Sequence, residues 1–229
     1  MGTQNMRIAV ISWGSLIQTG VQRGLSISGG WHTGGPVLPI EFSRVSQSGE
    51  KAGCLTLVID ERNGANVPTH YAVCANTNLD LALVNLRIVE NIKPEYRYTV
   101  GYVNILHNTE REFSRRKHPI ACNTIKAWAQ SNRFDAVIWT SLLSNFEEKT
   151  GRSFSVETAV QYISHLPEPT QSRAFEYIHN APAEVITPLR SVIDDSFNNT
   201  TPPPIVGEGG TTTTTMLGDG HYLTETSRQ

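Results

Sequence analysis

The chain has 229 residues, 38% hydrophobic and 17% charged, which is enough to bury a sizeable core in one large domain or one domain with an appendage. Net charge is -2 and the sequence pI is about 6.4, with Lys and Arg scattered, which speaks against a general nucleic-acid binder or a membrane-surface protein. No basic region followed by a sustained apolar run opens the sequence, and no window approaches the roughly 18 apolar residues of a membrane span, so a cytoplasmic setting is expected.

The apolar run 6–11 gives a strand over residues 7–12 that stops at Trp13-Gly14-Ser15-Leu16. A glycine-rich stretch follows, and the loop 29–36 reads either as a flexible rim with Trp31 as an apolar wall or as a plain connector. Residues 37–45 alternate in part, with Glu41 among apolar neighbours and an outward orientation expected for it. Residues 53–60 alternate cleanly, Asn63-Gly64 makes a turn, and residues 67–75 read as the next strand. Strands joined by short Gly/Asn turns, with no helix between them, predict an antiparallel meander and count against a doubly wound sheet.

Asn76-Thr77-Asn78 is an N-cap cluster for a helix over residues 79–90, where Leu79, Leu83, Leu86 and Val89 share a face. Residues 99–106 read as a strand, and Pro119 opens a helix to about Ser131. Residues 135–142 have strand or connector character, with Trp128 and Trp139 expected in the core. Residues 155–166 and 170–180 are two helical patterns joined by Pro167-Glu168-Pro169. From about Ser196 the composition turns to Pro, Thr and Gly, so residues 194–229 are expected as a disordered tail.

Cys54, Cys74 and Cys122 are odd in number and far apart, without a CxxC pair, which argues against a disulfide framework or a structural zinc site and suits buried reduced thiols. The seven histidines include no H-x-x-x-H or H-x-H pair, so no metal and no cofactor is expected. Gly14, Gly20 and Gly24 do not supply G-x-G-x-x-G, and no P-loop sequence occurs. Ser15 lacks a G-x-S-x-G setting and has no base near it in sequence, so it reads as a turn-stabilising hydroxyl or a ligand hydrogen bond.

A strand followed by an aromatic-Gly-Ser-Leu turn, then a run of strands, then an amphipathic helix ending in Glu90, resembles the gamma-glutamylcyclotransferase-like family over roughly residues 7–106. Residues 119–193 resemble the C-terminal part of bacterial relatives and carry no function with them. The resemblance implies an α+β protein built on a small, mostly antiparallel β barrel over residues 1–118, with a mainly helical extension over 119–193. It also implies a transferase or lyase type of activity, in which the α-amine of a gamma-glutamyl amide attacks its own side-chain carbonyl and releases 5-oxoproline and an amine. Glu90 then falls at the catalytic base, and Trp13, Gly14, Ser15 and Leu16 at the substrate-binding turn, with Tyr102 on the next strand as a pocket candidate. Two positions depart from the pattern: Trp13 where tyrosine is common, and Asn91 where glycine is common after the glutamate. The alternative is a non-catalytic small-molecule-binding or sensor protein whose C-terminal helices engage a protein partner; a further one is an enzyme passing the acyl group to an acceptor.

Overall fold

Strand β1 (Ile8–Ser12) is buried along its whole length, and its alternating side chains belong to two different cores. Ile8 and Val10 pack with Leu86 and Val89 of helix α2 (Leu79–Val89), whereas Ala9 and Ile11 pack with Ile125 of helix α4 (Pro119–Ser131) and with Leu38 and Ile40 of strand β3 (Val37–Val45). A strand covered on both faces needs apolar side chains at every position, which is what Ile-Ala-Val-Ile supplies. The computed structural model describes residues 5–47, 49–198, 212–216 and 222–226.

β1 runs antiparallel to β6 (His70–Cys74) and parallel to β9 (Ala136–Thr140). With β2 (Ile27–His32) outside β6, and β7 (Val100–Asn104) and β8 (Thr109–Glu110) beyond β9, a six-stranded sheet results in the order β2-β6-β1-β9-β7-β8. A second sheet has β3 at its centre, between β4 (Leu55–Ile59) and β5 (Ala65–Pro68), both antiparallel to it. The α+β class holds, but the sheets do not close into the expected barrel. β3 spends both edges on β4 and β5, so the two sheets stack through a core that joins Leu38, Ile40, Phe42 and Leu55 to Trp139.

Residues 67–75 are two strands in different sheets. Pro68 has no N–H to continue a ladder. At the corner the Thr69 hydroxyl donates to the Pro36 carbonyl at 2.7 Å, while the Thr69 carbonyl accepts from Gly35 N at 2.9 Å. The run of strands is thus no simple meander, and residues 119–193, expected as a helical extension, place β9 between β1 and β7. Residues 27–32 pair with β6 as an edge strand and Trp31 packs into the α2-side core, so the first half of the loop expected at 29–36 is strand, while residues 33–36 lie in neither helix nor strand.

The helix caps follow the sequence closely. Asn78 Oδ1 accepts from Leu81 N at 3.1 Å at the start of α2, and Ser155 and Thr158 form a reciprocal capping box on α6 (Val156–Ser164). The remaining helices are α1 (Leu16–Thr19), α3 (Glu112–Lys117), α5 (Phe146–Thr150), α7 (Glu168–His179) and α8 (Pro188–Asn198). All three cysteines are buried free thiols.

Glu41 corrects the outward expectation. It is fully buried, its carboxylate accepting from Phe42 N at 2.7 Å and Leu189 N at 3.5 Å and bonding the Thr187 side chain, at the start of α8. The chain divides into two units between Asp195 and Ser196. In the second, Thr212–Met216 pairs antiparallel with Tyr222–Thr226, within the stretch expected as a tail. Residues 194–198 of that stretch belong to α8, and residues 199–211, 217–221 and 227–229 lie outside the described residues.

Candidate functional site

After β1 the chain turns through Trp13 and Gly14 into α1. Ile17 N donates to the Gly14 carbonyl at 3.0 Å, and Gln18 N and the Thr19 hydroxyl both donate to the Ser15 carbonyl, at 3.1 and 2.9 Å. The turn's carbonyls are therefore occupied. Its amides are not: among the described residues, no group accepts from the N–H of Gly14, Ser15 or Leu16.

Helix α2 delivers Glu90 to the same place. Glu90 is its C-cap, with N–H donated to the Leu86 carbonyl at 2.9 Å, and Asn91 follows at φ 52°. Asparagine tolerates this left-handed conformation, so the helix ends much as it would with glycine. Trp13, Gly14, Ser15, Leu16 and Glu90 all line one cavity of about 340 Å³. The Glu90 side chain keeps 21% of its exposure and lies 3.7 Å from Arg23 Nη2. Burial pushes its carboxyl above the ordinary glutamate value, against the pull of Arg23 and then Lys51.

Tyr102 is not in this cavity. Its position pairs with Ile138 in mid-strand, its ring packs on the α2-side core, and the Arg111 guanidinium lies 4.8 Å above it. The cavity opens at the other end of β9, where Thr140, opposite Val100, reaches the wall.

Among the lining residues that the sequence did not signal are Arg23, Glu50, Lys51, Thr140 and Tyr177. Lys51 ends a short 3-10 turn (Gly49–Lys51), and its Nζ donates to Ser15 Oγ at 3.0 Å while lying 4.2 Å above the Tyr177 ring. Burial and the neighbouring Arg23 push its ammonium below the ordinary lysine value. Tyr177, from α7, shares a hydrogen bond with Ser15, and burial raises its hydroxyl to about 12. Its helical spacing from Ala174 marks only a core aromatic, so nothing local signals a site.

The cavity brings together unoccupied amide donors, two carboxylates, Glu90 with its carboxyl pushed up by burial and Glu50, and the basic side chains of Arg23 and Lys51. That set suits binding a carbonyl or carboxylate oxygen and moving a proton beside it. Among the described residues, no group of three or more His, Cys, Asp or Glu side chains is placed to hold a metal ion, and no helix is long and apolar enough to cross a membrane. Comparisons with family models, with curated proteins and with solved structures give no match.

Proposed function

We propose that the cavity binds a small gamma-glutamyl amide and converts it to 5-oxoproline and a free amine. The substrate's α-nitrogen attacks its own side-chain carbonyl carbon. A C–N bond closes the five-membered ring as the C–N bond to the leaving amine breaks. Glu90 takes the proton from the α-ammonium and returns it to the departing amine. The amides of Gly14, Ser15 and Leu16 hold the carbonyl oxygen as it gains charge. Arg23 and Lys51 suit the carboxylate that a gamma-glutamyl group carries.

One observation carries the reading: a glutamate whose carboxyl is pushed up by burial lines the same cavity as a turn with free amides. Burial makes such a carboxylate a stronger base than an ordinary glutamate. Trp13 supplies only an N–H donor where tyrosine would offer a hydroxyl, so a substrate that needs an acceptor at that point is disfavoured.

The test is 5-oxoproline release from a panel of gamma-glutamyl amides and dipeptides, by the native chain and by Glu90→Gln. Release that the substitution lowers by about a hundredfold or more, with the fold retained, supports the reading. Panel binding without release by the native protein removes it and leaves a binding protein.

A further inference from the structure

Ser15 is held by two side chains, of which the cyclisation reading uses Lys51 only as a counter-charge and Tyr177 not at all. Lys51 Nζ donates to its hydroxyl oxygen at 3.0 Å, and the Tyr177 hydroxyl shares a hydrogen bond with it. We infer that Ser15, Lys51 and Tyr177 form a nucleophilic site at which Ser15 Oγ takes up the acyl group of a small carboxylic ester or amide. The inference goes beyond the cyclisation reading and stands without it.

A serine hydroxyl attacks a carbonyl only when a base within hydrogen-bond reach removes its proton. The sequence offers none near Ser15; the fold brings one from 36 residues away. A lysine is a base only in its neutral form, and burial, the largest influence on Lys51, favours that form, as does Arg23. Glu90, the Cys54 thiol and Glu50 oppose it. Tyr177 stays protonated at neutral pH and fixes the position of the serine hydroxyl as a positioning residue.

The surroundings complete the requirement. When a carbonyl carbon sits on Oγ, its oxygen falls near the serine's own N–H and the next one along. The amides of Ser15 and Leu16 have no acceptor among the described residues. The cavity of about 340 Å³ beside them accepts an acyl group of a few carbons.

The step balances without an outside oxidant or reductant. An Oγ–C bond forms as the C–O or C–N bond to the leaving group breaks. The hydroxyl proton passes to neutral Lys51 and from there to the leaving alcohol or amine. Water or an amine then attacks the Ser15 ester, its proton passes through Lys51, and the serine is restored.

The test is treatment of the full chain with a fluorophosphonate probe, followed by intact mass and peptide mapping. The expected result is one adduct per chain on Ser15, with fluoride lost, at a rate that rises with pH as Lys51 loses its proton. Lys51→Met lowers that rate by about tenfold or more, and Lys51→Arg does not restore it, because a guanidinium stays protonated. No adduct on the folded native chain, an adduct on another residue only, or a rate flat with pH overturns the inference. So does a Lys51→Met rate equal to that of the native chain. Release of 5-oxoproline without an adduct sinks this inference and spares the cyclisation reading; an adduct without release does the reverse.

Discussion

Arg23 Nη2 lies 3.7 Å from Glu90 Oε1 on the wall of the cavity, so the proposed base carries its own counter-charge. Burial raises the Glu90 carboxyl and Arg23 is the largest influence in the other direction. A general base works only when ionised, so activity falls on the acid side as Glu90 gains its proton. Arg23→Met removes the opposing pull and lets the carboxyl rise further. The acid limb of kcat/KM for 5-oxoproline release therefore moves to higher pH, while Arg23→Lys leaves it near its native position. A limb that stays in place in Arg23→Met shows that the acid limb belongs to a group other than Glu90.

Two glycines separate site from scaffold. A Cβ on Gly14 would meet only Leu57 Cδ1, at 3.4 Å, an ordinary contact. The space it would fill belongs to the cavity, not to the packing of the turn. Gly14→Ala is expected to keep stability within about 1 kcal/mol while raising KM about tenfold or more, read by urea denaturation and steady-state kinetics.

Gly101 is the opposite case. A Cβ there would fall 2.4 Å from Cε2 of Trp139, a ring fully buried on the neighbouring strand. Gly101→Ala forces that ring aside and is expected to cost about 1–3 kcal/mol. A double change with Trp139→Leu should show a favourable coupling, because the smaller side chain clears the collision.

The elements that declared themselves in the sequence were those with a local cause. Residues 37–45 alternate in part because Leu38, Ile40 and Phe42 enter one core, and α2 starts at Asn78 because that side chain caps it. Pro119 begins α4 for an equally local reason. What stayed hidden depends on distant partners. The corner at Thr69 needs Pro36, and Glu41 turns inward because Leu189, 148 residues away, presents an N–H to it. β9 gives no sign in its own residues of its parallel pairing with β1. Glu90 and the turn at residues 13–16 were legible as motifs, whereas Lys51 and Tyr177 sit in a turn and on a helix face that look ordinary until the chain is folded.

Glu41 makes a stability prediction whose sign is set by burial. Its folded-state pKa lies above the ordinary 4.5, burial being the largest cause, against the bonds from Thr187, Phe42 and Leu189. The folded protein therefore holds this proton more tightly than the unfolded chain does. The contribution is complete below about 4.5 and is lost as pH rises through the folded-state value. Glu41→Gln cannot ionise, so its stability relative to the native chain should improve steadily as pH rises from acid to neutral. Glu41→Ala, by contrast, leaves buried amides without an acceptor and is expected to cost about 2 kcal/mol or more at any pH.

Arg190 ties α7 to α8 and thereby supports one wall of the cavity. Its Nη2 donates to the His179 carbonyl at 2.9 Å, at the last residue of α7, and its Nη1 to the carbonyls of Pro182 and Val185 at 2.6 and 2.9 Å. Nε meets Asp194 Oδ2 at 3.3 Å, and only 12% of the side chain is exposed. A planar fork serves these acceptors at once; an ammonium on a flexible stem does not. Arg190→Met is expected to cost about 2–4 kcal/mol, with Arg190→Lys recovering little of it, read as a lower urea midpoint at an unchanged slope. Tyr177 lies on the same helix, two residues before His179, so a loosened α7 end should also weaken ligand binding at temperatures where the protein is still folded. Full binding in a destabilised Arg190→Met would mean that Ser15 and Lys51, not the α7–α8 clamp, hold Tyr177 in place.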